Sequence, residues 1–275
     1  MSIQFNDDAK KWLNHANEMF NLENYEDALC EYNKIIQVNA DDYKIWLNRS
    51  IALQQLGSYK EALKSYDKAI RIKPNSYEAW YNRSIVLHCL EHYNEALISY
   101  DRVIQIKSDC YNAWYGRGTV LHHLRRYDEA LVSYDKTTQL KPYFYDSWSG
   151  KGNVLLELKC YKDALIAYNK AIQINPNNYD LYLRGIVLCK LERYEDAISS
   201  YDKALQYKPD DYKTLFECVR VLRKLGYHKK AFVKAKKFAI AYPEIAEKQA
   251  KILSKKSGKA PFWMRVYHTV LSWIS

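Results

Sequence analysis

The sequence predicts an all-α solenoid, in which helical hairpins of about 34 residues stack along the chain. Tryptophan, tyrosine and alanine recur at the same interval, and two apolar runs of helical spacing fill each interval. Eight glycines and six prolines are few for 275 residues, which disfavours a sheet-rich fold with many tight turns. The ladders are Trp12, Trp46, Trp80, Trp114 and Trp148; Tyr25, Tyr59, Tyr93, Tyr127 and Tyr161; Ala28, Ala62, Ala96, Ala130 and Ala164; and Tyr32, Tyr66, Tyr100, Tyr134 and Tyr168.

In the first five predicted hairpins the tryptophan lies on the first helix, and the alanine and the second tyrosine lie on the second helix. A short break such as Leu56–Tyr59 separates them, and a proline such as Pro74 or Pro176 stops the second helix. One hairpin is too small to bury its own apolar face, so neighbours must stack. We count seven hairpins, which begin at Ala9, Tyr43, Tyr77, Tyr111, Tyr145, Asn178 and Tyr212 and end near Ile245.

The ladders resemble the tetratricopeptide repeat family, whose pattern is a tryptophan, a small residue, an alanine, a large aromatic residue, an alanine and a proline. The resemblance covers residues 9–245 and implies a right-handed superhelical solenoid with C-terminal capping helices. It divides the chain into a lead-in at 1–8 and hairpins at 9–42, 43–76, 77–110, 111–144, 145–177, 178–211 and 212–245.

Hairpins six and seven depart most from the pattern. The loop before hairpin six is one residue short, and Leu181 or Tyr182 replaces the ladder tryptophan there. In hairpin seven, Ala235 and Phe238 stand where a tyrosine and an alanine are expected, which keeps the total side-chain volume similar. We therefore expect hairpin seven to fold.

In this family the first helix of each hairpin faces a concave groove, and the resemblance carries those positions to this chain. Asn14, Asn48 and Asn82 share one such position, similar to the asparagine ladder of O-GlcNAc transferases. A carboxamide both donates and accepts, so this row is suited to the backbone of an extended peptide. The alternative is that asparagine only keeps an exposed helix soluble. The groove residues predicted to bind a peptide are Asn14, Asn17, Asn48, Tyr81, Asn82, Tyr115 and His122.

Two other uses of the groove are disfavoured. The carboxylate clamp of chaperone-binding tetratricopeptide domains needs cations where this chain has Leu13, Glu78 and Asn82. A row of bases seven residues into five hairpins would suit an anion, but is more simply explained by packing between hairpins and by pairing with acids such as Asp67, Asp101, Asp135 or Asp202. These bases are Arg49, Arg83, Arg117, Lys151 and Arg184.

Enzyme motifs are missing from the sequence, so we predict a protein that is not an enzyme and has no cofactor or small-molecule substrate. Six cysteines never form a C-x-x-C pair, and the start has no secretory signal, so free thiols in the cytoplasm are expected. His88, Cys89, His122 and His123 could come together in neighbouring hairpins and suit zinc or copper. Polar contacts in the groove are favoured over a metal.

The net charge of +10 is concentrated at the C-terminal end, where residues 205–275 carry +11 and residues 1–204 carry −1. Hairpin seven is predicted to present a basic patch to the groove. Nucleic acid is disfavoured as its partner, because no known reader motif accompanies the charge. The patch consists of Lys213, Arg220, Arg223 and Lys224.

The C-terminal end is predicted to form a basic capping helix at 246–256, a linker at 257–261 and a short amphipathic helix at 262–275. That last helix is too short to span a membrane. It could cap the last hairpin, bind a partner, or lie on an anionic membrane surface. The residues available for such contact are Trp263, Val266, Tyr267, Val270 and Ile274.

The function predicted from the sequence is therefore that of a binding scaffold, which holds a peptide segment or a partner helix of another protein in its groove. The alternative is an adaptor at the periphery of a membrane, held there by its C-terminal helix.

Overall fold

The computed structural model describes residues 2–244, Glu247 and Val266. Among these residues there is no strand, and the predicted all-α repeat architecture is confirmed. Fourteen helices between Ser2 and Ala241 pair into seven hairpins. The helices are α1 Ser2–Asn21, α2 Tyr25–Val38, α3 Tyr43–Gln55, α4 Tyr59–Ile72, α5 Tyr77–Cys89, α6 Tyr93–Ile106, α7 Tyr111–His123, α8 Tyr127–Leu140, α9 Tyr145–Glu157, α10 Tyr161–Ile174, α11 Asn178–Lys190, α12 Tyr194–Tyr207, α13 Tyr212–Lys224 and α14 His228–Ala241.

Most first helices begin at a polar residue whose side chain caps the helix. Asp42 accepts from the backbone N–H of Lys44 at 2.9 Å, and Asn177 accepts from that of Asp180 at 3.0 Å. Such caps satisfy N–H groups that the helix itself leaves without a partner. Helix α1 starts at Ser2, so residues 2–8 of the predicted lead-in belong to the first helix.

All seven hairpins turn through a residue of positive φ at the same place, between the first and the second helix. Only Gly57 and Gly226 are glycines, the residue that adopts this conformation without steric penalty. The hairpin geometry therefore imposes the left-handed conformation on the other five turns. Those five residues are Glu23, Glu91, Arg125, Lys159 and Glu192, with φ between 58° and 60°.

The chain forms two compact units, Met1–Pro142 and Tyr143–Ser275. The first holds α1 to α8 and the second holds α9 to α14. Within each unit consecutive helices pack in chain order, and in the first unit α5 also lies beside α3 and α7. The second tyrosine ladder fills the core between the paired helices. Its members, all at most 3% exposed, are Tyr32, Tyr66, Tyr100, Tyr134, Tyr168 and Tyr201.

The tryptophan ladder is half-buried rather than buried. The indole N–H groups of Trp46, Trp80 and Trp114 each donate to a carbonyl six residues earlier, at 2.8 to 2.9 Å. Each of these tryptophans therefore fixes the loop that enters its hairpin. The tyrosines carry more of the core packing than the tryptophans do.

The C-terminal elements predicted at 246–256, 257–261 and 262–275 lie outside the described residues, apart from Glu247 and Val266. Both of these are helical, and Val266 is fully buried. None of the helices in the described part of the chain combines the length and the apolar character needed to cross a bilayer.

Candidate functional site

The predicted groove residues lie on the first helices of hairpins one to four. Because α5 lies beside both α3 and α7, and the Tyr32 hydroxyl joins Asn17 of α1 to Asn48 of α3, the residues on these four helices belong to one surface, which we call the first-helix face. Asn14 is exposed, and the other members are half-buried. The first-helix face consists of Asn14, Asn17, Asn48, Tyr81, Asn82, Tyr115 and His122.

The asparagines of the first-helix face fall into two pairs. The buried hydroxyl of Tyr32 donates to Oδ1 of Asn17 at 3.3 Å and also bonds the side chain of Asn48. Burial raises the pKa of Tyr32, and the bond to Asn48 partly offsets this. Asn14 and Asn82 have no side-chain hydrogen bond to the residues that the structure describes. Two carboxamides are thus used inside the protein, and two are available to a ligand.

The asparagine row ends at hairpin four for a steric reason. Gly116 occupies the matching position, and the ring of Tyr100 fills the space into which a side chain would extend. Any Cβ at Gly116 would overlap that ring. An asparagine therefore fits in hairpins one to three and not in hairpin four.

Aromatic residues of the first helices are held by the buried tyrosine ladder. Tyr81 meets Tyr100 edge-on, with 6.3 Å between ring centroids, and Tyr115 lies 6.1 Å from Tyr134. Each outer ring is thus fixed from behind while its other side stays partly open. The hydroxyl of Tyr81 has no hydrogen bond among the described residues. Similar pairs in the second unit are Tyr182 with Tyr201 and Phe216 with Phe238.

Histidines and tyrosines form a ring cluster beside this surface, in hairpins three and four. The rings of Tyr93 and His123 stack at 5.0 Å, and His88 lies 5.5 Å from His123. His122 packs against Tyr127 at 5.8 Å. Burial, and secondarily the charge of His123, lowers the pKa of His88, so its imidazole is neutral at pH 7.

These histidines do not assemble a metal centre. Among the described residues, no three His, Cys, Asp or Glu side chains stand in a group that could hold a metal ion. Cys89 is exposed, and the imidazoles contact tyrosine rings instead. The sequence placed the histidines in adjacent hairpins, but the stacking partner Tyr93 was missed, because as a ladder tyrosine it was assigned to packing alone.

The bases seven residues into the hairpins are committed to internal partners. Arg83 donates to Oδ1 of Asp67 at 2.8 Å and to Oγ of Ser99 at 2.7 Å. Its guanidinium carbon lies 5.8 Å from the centre of the Trp80 ring. The predicted pairing with Asp67, and of Arg117 with Asp101, is therefore present. These donors hold neighbouring hairpins together and are not free for an anion.

The basic patch lies on α13, where Arg220 and Lys224 are exposed but engaged. Nε of Arg220 donates to Glu217 at 2.8 Å, and Lys224 lies over the ring of Tyr194 and donates to its hydroxyl. Lys213 is exposed, and Arg223 is exposed on the last turn of the same helix. The patch therefore carries less free charge than its composition indicates.

Among the predicted contact residues of the C-terminal helix, only Val266 is described. Its side chain is 0% exposed, so protein covers it in this structure. Trp263, Tyr267, Val270 and Ile274 lie outside the described residues.

A buried carboxylate in hairpin six was not anticipated. Asp180 is fully buried and accepts from the hydroxyls of Tyr145 at 2.5 Å and Ser149 at 2.7 Å, and from Nδ2 of Asn177 at 2.9 Å. Burial, and secondarily the bond to this carboxylate, raises the pKa of Tyr145. The one sequence feature that marked this region was the loop before hairpin six, which is one residue short and ends at Asn177.

Comparison with known proteins agrees with this architecture. Family models described as tetratricopeptide repeat match residues 90–143, 145–178 and 179–211, and one described as TPR repeat matches residues 52–90. A search of curated protein sequences gives no match.

Among solved structures, YrrB, a TPR protein with an unusual peptide-binding site, is 23% identical with a TM-score of 0.61, over 68% of this chain and 96% of its own. PilF of Pseudomonas aeruginosa is 20% identical with a TM-score of 0.60, over 74% of this chain and 92% of its own. MamA of Desulfovibrio magneticus is 22% identical with a TM-score of 0.59, over 61% of this chain and 95% of its own.

These likenesses show the fold. The family matches run through the same hairpins in which the tyrosine ladder is buried and the turns are left-handed, and together they extend over more than half of the chain. The chain belongs to the tetratricopeptide repeat family.

Proposed function

We propose that this chain is a non-enzymatic interaction scaffold that binds an extended peptide segment, or a helix of a partner protein, on its first-helix face. Tetratricopeptide proteins are interaction scaffolds, and YrrB shows that a related fold carries a peptide-binding site. The observation that carries the proposal is the unfilled hydrogen-bonding capacity of Tyr81 and Asn82, side by side on α5.

The two residues offer complementary contacts to a peptide. The carboxamide of Asn82 can donate to a backbone carbonyl and accept from a backbone N–H, whatever the peptide side chains are. The ring of Tyr81 is held from behind by Tyr100, so little conformational entropy is lost when a ligand packs on it. Asn14 adds a third free polar group at the other end of the row.

The asparagines divide by role within this proposal. Asn48 and Asn17 hold the Tyr32 hydroxyl, so their replacement would disturb the core as well as the surface. Asn82 is not tied in this way. A test of binding is therefore cleaner at α5 than along the whole asparagine row.

The test is selection of a phage-displayed peptide library on the full chain, followed by fluorescence anisotropy of the enriched peptides. We expect the double variant Tyr81→Ala/Asn82→Ala to weaken binding about tenfold or more, since aromatic anchors dominate such interfaces. The matched control is Tyr143→Ala/Asn94→Ala, which removes the same residue types from exposed positions elsewhere. Equal affinity of the two double variants for every enriched peptide would refute binding at this face.

A further inference from the structure

Hairpin seven lacks the tryptophan and arginine side chains that close the space between neighbouring second helices in hairpins two to four. Leu215 stands at the position of the ladder tryptophan, and Cys218 at the position of the arginine. In hairpin three these positions hold Trp80 and Arg83, which lie against each other. The indole and the guanidinium have no counterpart in hairpin seven.

A compensating exchange keeps the charge balance there. Asp202 occupies the position from which Asp67 binds Arg83, but its partner is now Lys234 of α14, whose Nζ lies 2.6 Å from Oδ1. In hairpin three the position of Lys234 belongs to Ser99, the second partner of the arginine. The cation that binds this aspartate therefore comes from the second helix in hairpin seven (Lys234) and from the first helix in hairpin three (Arg83). In hairpin seven it does not lie against the position of the ladder tryptophan.

The result is a cavity of about 850 Å³ between α12 and α14. This is the size of a typical ligand pocket rather than a packing defect. Leu215 and Leu222 of α13 contribute to its apolar lining, together with side chains of the two flanking helices. The apolar residues from the flanking helices are Ile198, Leu205 and Val233.

The edge of the cavity is positively charged. Lys229 and Lys237 have no ion pair among the described residues, and Lys230 lies 5.5 Å from the centre of the Tyr227 ring. Asp202 is neutralised by Lys234, which leaves Glu195 as the other acid of the lining. An apolar lining with unpaired lysines at the edge favours a ligand that is both apolar and anionic.

We propose that this cavity is a second recognition site, which binds an acidic peptide segment of a partner protein through one large aromatic side chain. The aromatic ring takes the place above Leu215 that the ladder indole takes in hairpins one to five, and flanking carboxylates meet Lys229, Lys230 and Lys237. The chain's own C-terminal residues do not match this charge, because residues 248–275 contain six Lys or Arg and no Asp or Glu.

The test measures fluorescence anisotropy of a dye-labelled hexapeptide, Asp-Asp-Glu-Trp-Glu-Asp, titrated with the full chain at low salt. We expect replacement of the peptide tryptophan by alanine to weaken binding about tenfold or more. Leu215→Trp refills the cavity with the side chain present at this position in hairpins one to five, so it should abolish binding with an unchanged or higher Tm. Equal affinity of wild type and Leu215→Trp would overturn the proposal.

Charge is tested by Lys229→Glu/Lys237→Glu, with Lys162→Glu/Lys170→Glu as a control of equal net charge on exposed positions of α10. We expect the first pair to weaken binding about tenfold more than the second. Equal effects would mean bulk charge attraction and would overturn the site. Because neither pair touches the first-helix face, this result is independent of the function proposed above.

Two other occupants are outcomes of the same test. If Trp263→Ala in the full chain raises the affinity for the probe severalfold, the chain's own C-terminal segment fills the cavity and the proposal is wrong. If vesicles of phosphatidylcholine and phosphatidylserine displace the probe in a way that depends on Lys229 and Lys237, the surface serves lipid and the proposal is also wrong. We expect neither effect.

Discussion

Gly152 lies against the ring of Tyr168, so closely that a Cβ on the glycine would stand 2.7 Å from Cε1 of the tyrosine. The same relationship links Gly118 to Tyr134 and Gly185 to Tyr201. The glycine is on the first helix and the tyrosine on the second. Each of these hairpins is therefore closed by a ring that occupies the space a side chain would need.

Gly152→Ala should destabilise the protein by about 2 kcal/mol, because the added methyl group forces the Tyr168 ring out of a filled core. Chemical denaturation monitored by circular dichroism measures this. The double variant Gly152→Ala/Tyr168→Leu should lose less than the sum of the two single changes, since the smaller side chain makes room for the methyl group. Full additivity would contradict the contact.

Substitutions at the left-handed turns should change stability in opposite directions. Glu91→Gly should raise the free energy of unfolding by about 0.5 kcal/mol, because glycine adopts a φ of 60° without strain. Gly57→Ala should lower the free energy of unfolding by about 1 kcal/mol, because alanine is strained at this positive φ. No neighbouring atom lies within 4 Å of the added Cβ, so the backbone conformation alone causes the loss. Denaturant titration compares the two, and a loss of stability in Glu91→Gly would contradict the explanation.

Asp180→Ala should destabilise the protein by about 3 kcal/mol, because it removes a fully buried carboxylate that accepts from the Tyr145 and Ser149 hydroxyls. The control is Asp109→Ala at an exposed position, expected to change stability by less than about 0.5 kcal/mol. Thermal unfolding followed by circular dichroism separates them. Similar shifts of Tm in both variants would show that the network is of little consequence.

His88 should make the protein less stable as the pH falls. Its pKa is lowered in the folded state, so the unfolded chain binds the proton more readily, and the free energy of unfolding decreases as the pH drops through the ordinary histidine range near 6.5. His88→Gln should flatten this dependence between about pH 7.5 and 5.5. Cys89→Ser, next to it and exposed, should leave the slope unchanged, and equal slopes for wild type and His88→Gln would contradict the prediction.

Cys218 should resist alkylation in the folded protein. It is fully buried, and burial raises the pKa of its thiol to about 12, so little thiolate exists at neutral pH. Cys30, Cys89 and Cys160 are exposed and should react with iodoacetamide first. Mass spectrometry of partly labelled protein checks the order, and early labelling of Cys218 would show that hairpin seven is open.

Most of the fold followed from the sequence, because a 34-residue period in large and small residues is compatible with few structures. The second tyrosine ladder is buried as predicted, whereas the first tyrosine ladder is half-buried, and the predicted pairing of Arg83 with Asp67 is present. The tryptophans also differ from the prediction: their size predicted burial, but the indole N–H needs an acceptor and finds a loop carbonyl, which keeps each ring half-buried.

The candidate binding surface could be predicted only in outline. The positions came from the family resemblance, but their availability depends on hydrogen bonds between helices. Asn48 and Asn82 have the same position and the same chemistry in the sequence, and only the structure separates them, since the Tyr32 hydroxyl engages the first and not the second.

The sequence by itself determined the repeat, the number of hairpins and the composition of their core, because these depend on local periodicity and on the volume of recurring side chains. Only the tertiary structure decided which polar groups remain free and where a cavity opens. Both depend on side chains that come from different helices. Cys218 stands where hairpins two to four have an arginine, and Lys234 of α14 binds Asp202 in place of that arginine. The position of a residue in a ladder therefore indicates which helices surround it, and the side chains on those helices determine its interactions.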